Sequence, residues 1–137
     1  MTVPANPYSR IPEQGNPART EAWALLEAAR ELHRVKELPL EERRAVLRRN
    51  WRLWTIFQAN LLDPGCQVPA ETRRNLLGLA NFIDRQTASL LANGEPKGID
   101  VLININRQIS EGLLDGQRAS VARVAPPAAA AAIGQSI

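Results

Sequence analysis

The sequence predicts an all-α fold, a single antiparallel four-helix bundle, flanked by a flexible N-terminal arm and a disordered Ala/Pro-rich C-terminal tail. Three observations lead there. Aromatic residues make up only 4% of the 137-residue chain although 45% of it is hydrophobic, so the core has to be built from Leu, Ile, Val and Ala. Prolines recur where helices would start, and the segments between them repeat apolar residues every three or four positions. The connections span about six residues or fewer, which makes consecutive helices antiparallel neighbours.

Pro4, Pro7, Pro12 and Pro17 exclude a continuous helix from residues 1–16, which read as an extended arm. Pro17 suits the first helical position after an Asn16 cap, and helix one is expected to reach about Leu38. Its apolar face comprises Ala18, Ala22, Leu25, Leu26, Ala29 and Leu32. Pro39 opens helix two, with Glu41 and Glu42 placed where the positive end of the helix dipole favours them. Leu40, Leu47, Trp51, Trp54, Phe57 and Leu61 form its stripe, and "LDPGCQVP" ends it near Leu62.

Pro69 opens helix three, in which Leu76, Ala80, Ile83, Thr87 and Leu90 share a face until Asn93-Gly94 supplies a stop. Pro96 opens helix four. Ile99, Leu102, Ile103, Asn106, Ile109 and Leu113 keep its period, while Val101 and Ile105 broaden the stripe toward the opposite side. Past Leu114, Pro126-Pro127 and a run of alanines offer little area to bury, so residues 115–137 read as a disordered tail. The predicted units are therefore an arm at 1–16, a four-helix domain at 17–114 and a tail at 115–137.

Composition excludes several classes of function. Cys66 is the only cysteine and His33 the only histidine, so neither a disulfide framework nor an ordinary structural zinc site is available. No apolar run approaches the ~20 residues of a membrane span, and the N-terminus lacks the charged and apolar regions of a secretion signal. A cytoplasmic, soluble protein without membrane insertion is expected. The net charge of +3 is uneven: residues 34–52 carry +4 and the rest of the chain −1.

Catalysis is poorly supported. His33 reads as a core-edge histidine on helix one and Cys66 as an incidental loop thiol, with no pattern tying them into a dyad. Glu27 and Glu31 form a solvated stripe able to pair with Arg30 and Arg34. There is no glycine-rich phosphate loop, and nothing requires a cofactor or a metal. A non-enzymatic role is the expectation.

The densest feature is "RRAVLRRNWRLWTIF", which mixes five arginines with two tryptophans and a phenylalanine. Arginines beside aromatics hold phosphates and stack bases in nucleic-acid binders. Here, however, Leu47, Trp51, Trp54 and Phe57 fall on the core stripe, whereas Arg44, Arg48 and Arg52 line another side as a possible anion or RNA face. Trp23, off the main face of helix one, is the better candidate for an exposed aromatic. Asn50, Asn81, Asn104 and Asn106 sit among apolar residues. Either neighbouring helices satisfy them and they fix register, or some face a groove and bond a partner. The first reading is the preferred one, and the widened face of helix four lends some support to the second, since another helix would pack there.

These residues resemble the flagellar biosynthesis protein family FlaF of alphaproteobacteria, from about Tyr8 to Leu113. Tyr8, Pro17, Arg19 and Glu21 look like its arm and helix start, with Gln14, Gly15 and Asn16 standing where the family commonly has Thr-Glu-Ser. "NWRLWTIFQANLLDP" resembles the central signature through Asn50, Leu53, Trp54, Ile56, Phe57 and Asp63. Val68-Pro69 is followed by Arg73, Leu76, Leu77, Leu79, Phe82, Ile83, Asp84 and Thr87 in the expected order. "LININRQISEGL" resembles the closing motif through Leu102, Ile103, Ile105, Asn106, Ile109, Gly112 and Leu113.

The resemblance implies a role in flagellum biogenesis: a cytoplasmic export chaperone that binds flagellin before type III secretion and so promotes filament assembly. It also implies an alternative, a post-transcriptional regulator acting on flagellin messenger RNA directly or with the partner protein FlbT. On the chaperone reading, Tyr8, Trp23, Val101 and Ile105 are the candidate contacts for flagellin's helical ends.

Overall fold

The structure, a computed structural model, describes residues 17–93 and 95–114. The arm at 1–16, Gly94 and the tail at 115–137 lie outside the described residues, and with them Tyr8 and the Asn16 cap. Four helices make up the fold: α1 (Pro17–Val35), α2 (Leu40–Leu62), α3 (Ala70–Asn93) and α4 (Lys97–Leu114). Each of the three later helices starts immediately after a proline, whose fixed φ and missing N–H suit a helix entry. At α2 the Pro39 carbonyl accepts from the Glu42 and Arg43 amides. At its other end Asp63-Pro64-Gly65-Cys66 forms a turn, with the Cys66 amide donating to the Asp63 carbonyl at 2.9 Å and the Gly65 amide to Asp63 Oδ1 at 2.7 Å.

The α1 helix stops at Val35, three residues before the expected end. Lys36 and Glu37 form a turn instead, closed by the Leu38 amide on the Val35 carbonyl and by the Arg43 guanidinium on the Leu38 carbonyl. Proline at 39 disfavours helical backbone at Leu38 and has no N–H to give the Val35 carbonyl, which accepts from the Leu38 amide in a tighter turn instead.

Interhelical bonds fix an up-down-up-down order. Lys36 at the end of α1 meets Asp100 at the start of α4 at 2.6 Å, and Ser110 Oγ near the end of α4 donates to the Ala22 carbonyl near the start of α1 at 2.9 Å. Trp51 Nε1 donates to Asp84 Oδ1 at 2.7 Å, and Arg44 Nε to the Leu91 carbonyl at 3.2 Å, so α2 and α3 are antiparallel too. Packing is tightest between α1 and α4. Ala22 and Ala29 on α1 and Gly112 on α4 are buried and small, and small residues let helix axes approach closely.

The core runs the length of the bundle, with Leu25, Leu47, Trp54, Leu79, Ile83 and Leu102 all below 2% exposed. Trp54 and Phe57 meet edge to face, with centroids 5.3 Å apart at 73°, the favoured arrangement for two aromatic quadrupoles. Leu76, Ala80, Ile83, Thr87 and Leu90 of α3 are all buried as their spacing predicts.

At the α3–α4 corner a Cβ on Gly98 would lie 2.6 Å from Leu90 Cδ2 and 2.7 Å from Gln86 Nε2, which donates to the Gly98 carbonyl. Gly98→Ala is expected to displace the Leu90 and Gln86 side-chain ends and loosen the Gln86 bond, a cost partly offset by the better helix propensity of alanine, so that the fold loses at most about 1 kcal/mol, read as a lowered urea midpoint.

Candidate functional site

A hydrogen-bonded chain of three side chains crosses the bundle from α2 to α4. Indole Nε1 of Trp54 donates to Asn106 Oδ1 at 2.9 Å, and Asn106 Nδ2 donates to Asn50 Oδ1 at 2.8 Å. Because an indole N–H is only a donor, it dictates which amide atom of Asn106 faces it. That choice in turn presents the Asn106 nitrogen to Asn50 and turns the Asn50 nitrogen away. Asn50 Nδ2 is left without an acceptor among the described residues although Asn50 is 1% exposed. Asn50 is also part of the floor of a surface groove.

The groove lies between α1 and α2 and has a volume of about 510 Å³. Ala24 and Ala28 on α1 give it depth, and Val46 and Leu53 on α2 complete the apolar floor around Asn50. Trp23 and Ile56 form walls, with Ile56 55% exposed. Two smaller depressions continue it past Leu53, Ile56 and Asn60 toward Cys66 and Leu113. From Val46 to Asn60 this path follows α2 for about 21 Å at 1.5 Å per residue, close to four helical turns.

The two rims differ in charge. On α1, Glu27 pairs with Arg30 at 2.7 Å and Glu31 with Arg34 at 2.8 Å, both on the exposed helix surface. The Arg34 hydrogen bond holds the Glu31 carboxyl below its ordinary pKa, and the charge of Arg49 on the facing rim acts in the same direction. On α2, Arg49 and Arg52 are exposed and form no ion pair among the described residues.

The groove collects only part of the site expected from the sequence. Trp23 is half-buried in its wall rather than projecting free, and Leu53 lies in its floor. Ile105 is a correction: at 3% exposed it belongs to the core, and Val101 is half-buried against that core. The broad apolar surface of α4 is consumed inside the chain, because α1 and α3 pack on it and Asn106 reaches α2. A helix apolar on most sides is an enclosed helix.

The remaining sequence candidates scatter. Asn81 and Asn104 are exposed, so only Asn50 and Asn106 are embedded in the core. His33 is exposed and not at the core edge; it lies at the bundle end away from Cys66. Arg48 and Arg52 are exposed, whereas Arg44 is half-buried on the Leu91 carbonyl and Glu41, which breaks the expected three-arginine face. Leu76 and Phe82 are buried and Arg73 half-buried, all on α3. Ala24, Ala28 and Val46 were missed. Their signal was a pair of alanines at i, i+4 beside the core face of α1.

These features define an all-α protein of the four-helix-bundle class with an open, helix-length apolar groove. Its described helices are none of them long and apolar enough to cross a membrane. The chain belongs to the FlaF family: the family described as flagellar protein FlaF matches residues 4–113, ending one residue short of the end of α4. No curated protein and no solved structure matches the chain.

Proposed function

We propose that this flagellar protein is a cytoplasmic flagellin-binding export chaperone that holds a helical end of flagellin in the α1–α2 groove. The observation that carries this reading is the groove itself. Its apolar floor, small-residue depth and length of about four turns fit one amphipathic helix. Capping the apolar face of a polymerising helix prevents premature assembly without any catalysis.

The test is co-purification of the full chain with cytoplasmic flagellin from export-blocked cells, with and without ribonuclease. A complex that survives ribonuclease is the expected result. A complex that ribonuclease abolishes would overturn it in favour of the regulator of flagellin messenger RNA, acting alone or with FlbT. In that case affinity would also fall steeply with salt, as phosphate contacts require.

A further inference from the structure

A strip of apolar surface leads from the entry of α1 into the groove. Glu21, one turn past Pro17, borders both smaller depressions, and beyond it Leu53 and Ile56 line the second depression and the main groove alike. Ile56 is 55% exposed on this strip, and Trp23 forms a wall of the groove on the α1 side. Residues 1–16 join the bundle here, since α1 starts at Pro17. The family match covers residues 4–113, so it takes in most of the arm together with the four helices and leaves out the tail.

The arm's own sequence suits that strip. Pro4, Pro7 and Pro12 favour polyproline II backbone, which has three residues per turn, so Ala5, Tyr8 and Ile11 share one face. The arm's two charged side chains, Arg10 and Glu13, fall on another face. Gly15 accommodates a sharp reversal just before α1. If residues 14–16 make that reversal, Glu13 is level with Pro17, and Ile11 and Tyr8 lie about 6 Å and about 16 Å farther along at 3.1 Å per residue. Glu21 and Ala28 lie the same distances, about 6 Å and about 16 Å, along α1 from Pro17. Ile11 is then level with the depression formed by Leu53, Ile56 and Asn60, and Tyr8 with Ala28 in the main groove.

We propose that residues 4–16 fold back along α1 and lay Ile11 and Tyr8 into the α1–α2 groove, so that an incoming helix has to displace the chain's own arm. A proline-rich segment docks on apolar grooves with aromatic walls because little of its order has to be bought at binding. Its attachment at Pro17 holds it at an effective concentration in the millimolar range, so even a weak contact keeps the groove covered. Tyr8 is then a competitor of the guest and not one of its contacts. Docking of the arm does not depend on the chaperone reading; only its effect on guest affinity does.

The test places a photo-crosslinker on the arm of the full chain as Tyr8→benzoylphenylalanine and maps the adducts after irradiation without any guest. Intramolecular adducts within residues 21–31 and 46–56 are expected, lost in an added Ala28→Trp variant and kept in Ala88→Trp. Adducts on α3 or α4, adducts joining two chains, or a pattern indifferent to Ala28→Trp would each overturn the proposal, the second by identifying another copy as the occupant.

A second readout is affinity for a synthetic amphipathic helical peptide of about four turns with one apolar stripe. The full chain carrying Tyr8→Asp/Ile11→Asp is expected to bind it about tenfold tighter than the parent, because the groove no longer has to be cleared. Unchanged or weaker binding would overturn the proposal and return Tyr8 to the guest's contacts. Groove adducts with no binding of peptide or flagellin by either chain support the arm and defeat the chaperone reading. Flagellin capture without groove adducts defeats this inference alone.

Discussion

Trp54→Ala is expected to cost about 3–5 kcal/mol, the range for removing a buried aromatic from a core. The indole is 1% exposed, packs edge to face on Phe57 and anchors the polar chain through Asn106. Two variants separate these contributions. Trp54→Phe keeps most of the apolar volume but strands the Asn106 oxygen, at about 1–3 kcal/mol. Adding Asn106→Leu to Trp54→Phe removes that stranded acceptor and moves the loss to Asn50. The coupling energy from the double-mutant cycle then measures how far the chain acts as a unit. Urea midpoints at unchanged slope are the readout. A Trp54→Phe variant as stable as the parent would show that the indole N–H contributes nothing.

Ala28→Trp is expected to abolish flagellin capture, by about 100-fold or more, while leaving the thermal midpoint within a few degrees of the parent. Ala28 is part of the groove lining and is not in the core cluster. An indole there fills the space of a guest side chain without displacing buried packing, and a blocked groove excludes the whole apolar stripe of a guest. Ala88→Trp on the exposed side of α3 is the control, because it adds the same surface away from the groove. Equal loss in both variants would mean that tryptophan addition, not groove blocking, weakens capture.

Helix positions were legible because proline and apolar period act locally. Each proline marks a helix entry by its own φ and missing N–H, whatever the rest of the chain does. The α3 stripe followed for the same reason. The α4 surface was misread because a wide apolar face has two causes that look alike in one dimension: a guest helix outside the fold, or extra neighbours within it. Only the three-dimensional arrangement, with Ile105 in the core and Asn106 bonded across to α2, separates them. Periodicity placed Asn106 on the α4 stripe, whereas Asn50, Asn81 and Asn104 stood out only for their apolar neighbours, and of these three Asn50 alone is buried.

The groove was least legible of all. It arises from what α1 and α2 leave unfilled between them, and Ala24 and Ala28 carry no strong signal because alanine is common in any helix. Charge told more once position was known. Of the seven basic residues from Arg34 to Arg52, Arg34 pairs with Glu31, Lys36 with Asp100, Arg43 bonds the Leu38 carbonyl, Arg44 is held by α3 and Glu41, and Arg48, Arg49 and Arg52 are exposed.

Ser110 bonded to Ala22 has a topological consequence. The first turn of α1 and the last turn of α4 lie side by side at one end of the bundle, and the chain reverses at residues 36–39 at the other. In a chain without residues 1–16 and 115–137, a short linker from Leu114 back to Pro17 would therefore join α4 to α1 and close the four helices into a ring. New termini opened at 36–39 would then give a circular permutant with the groove intact.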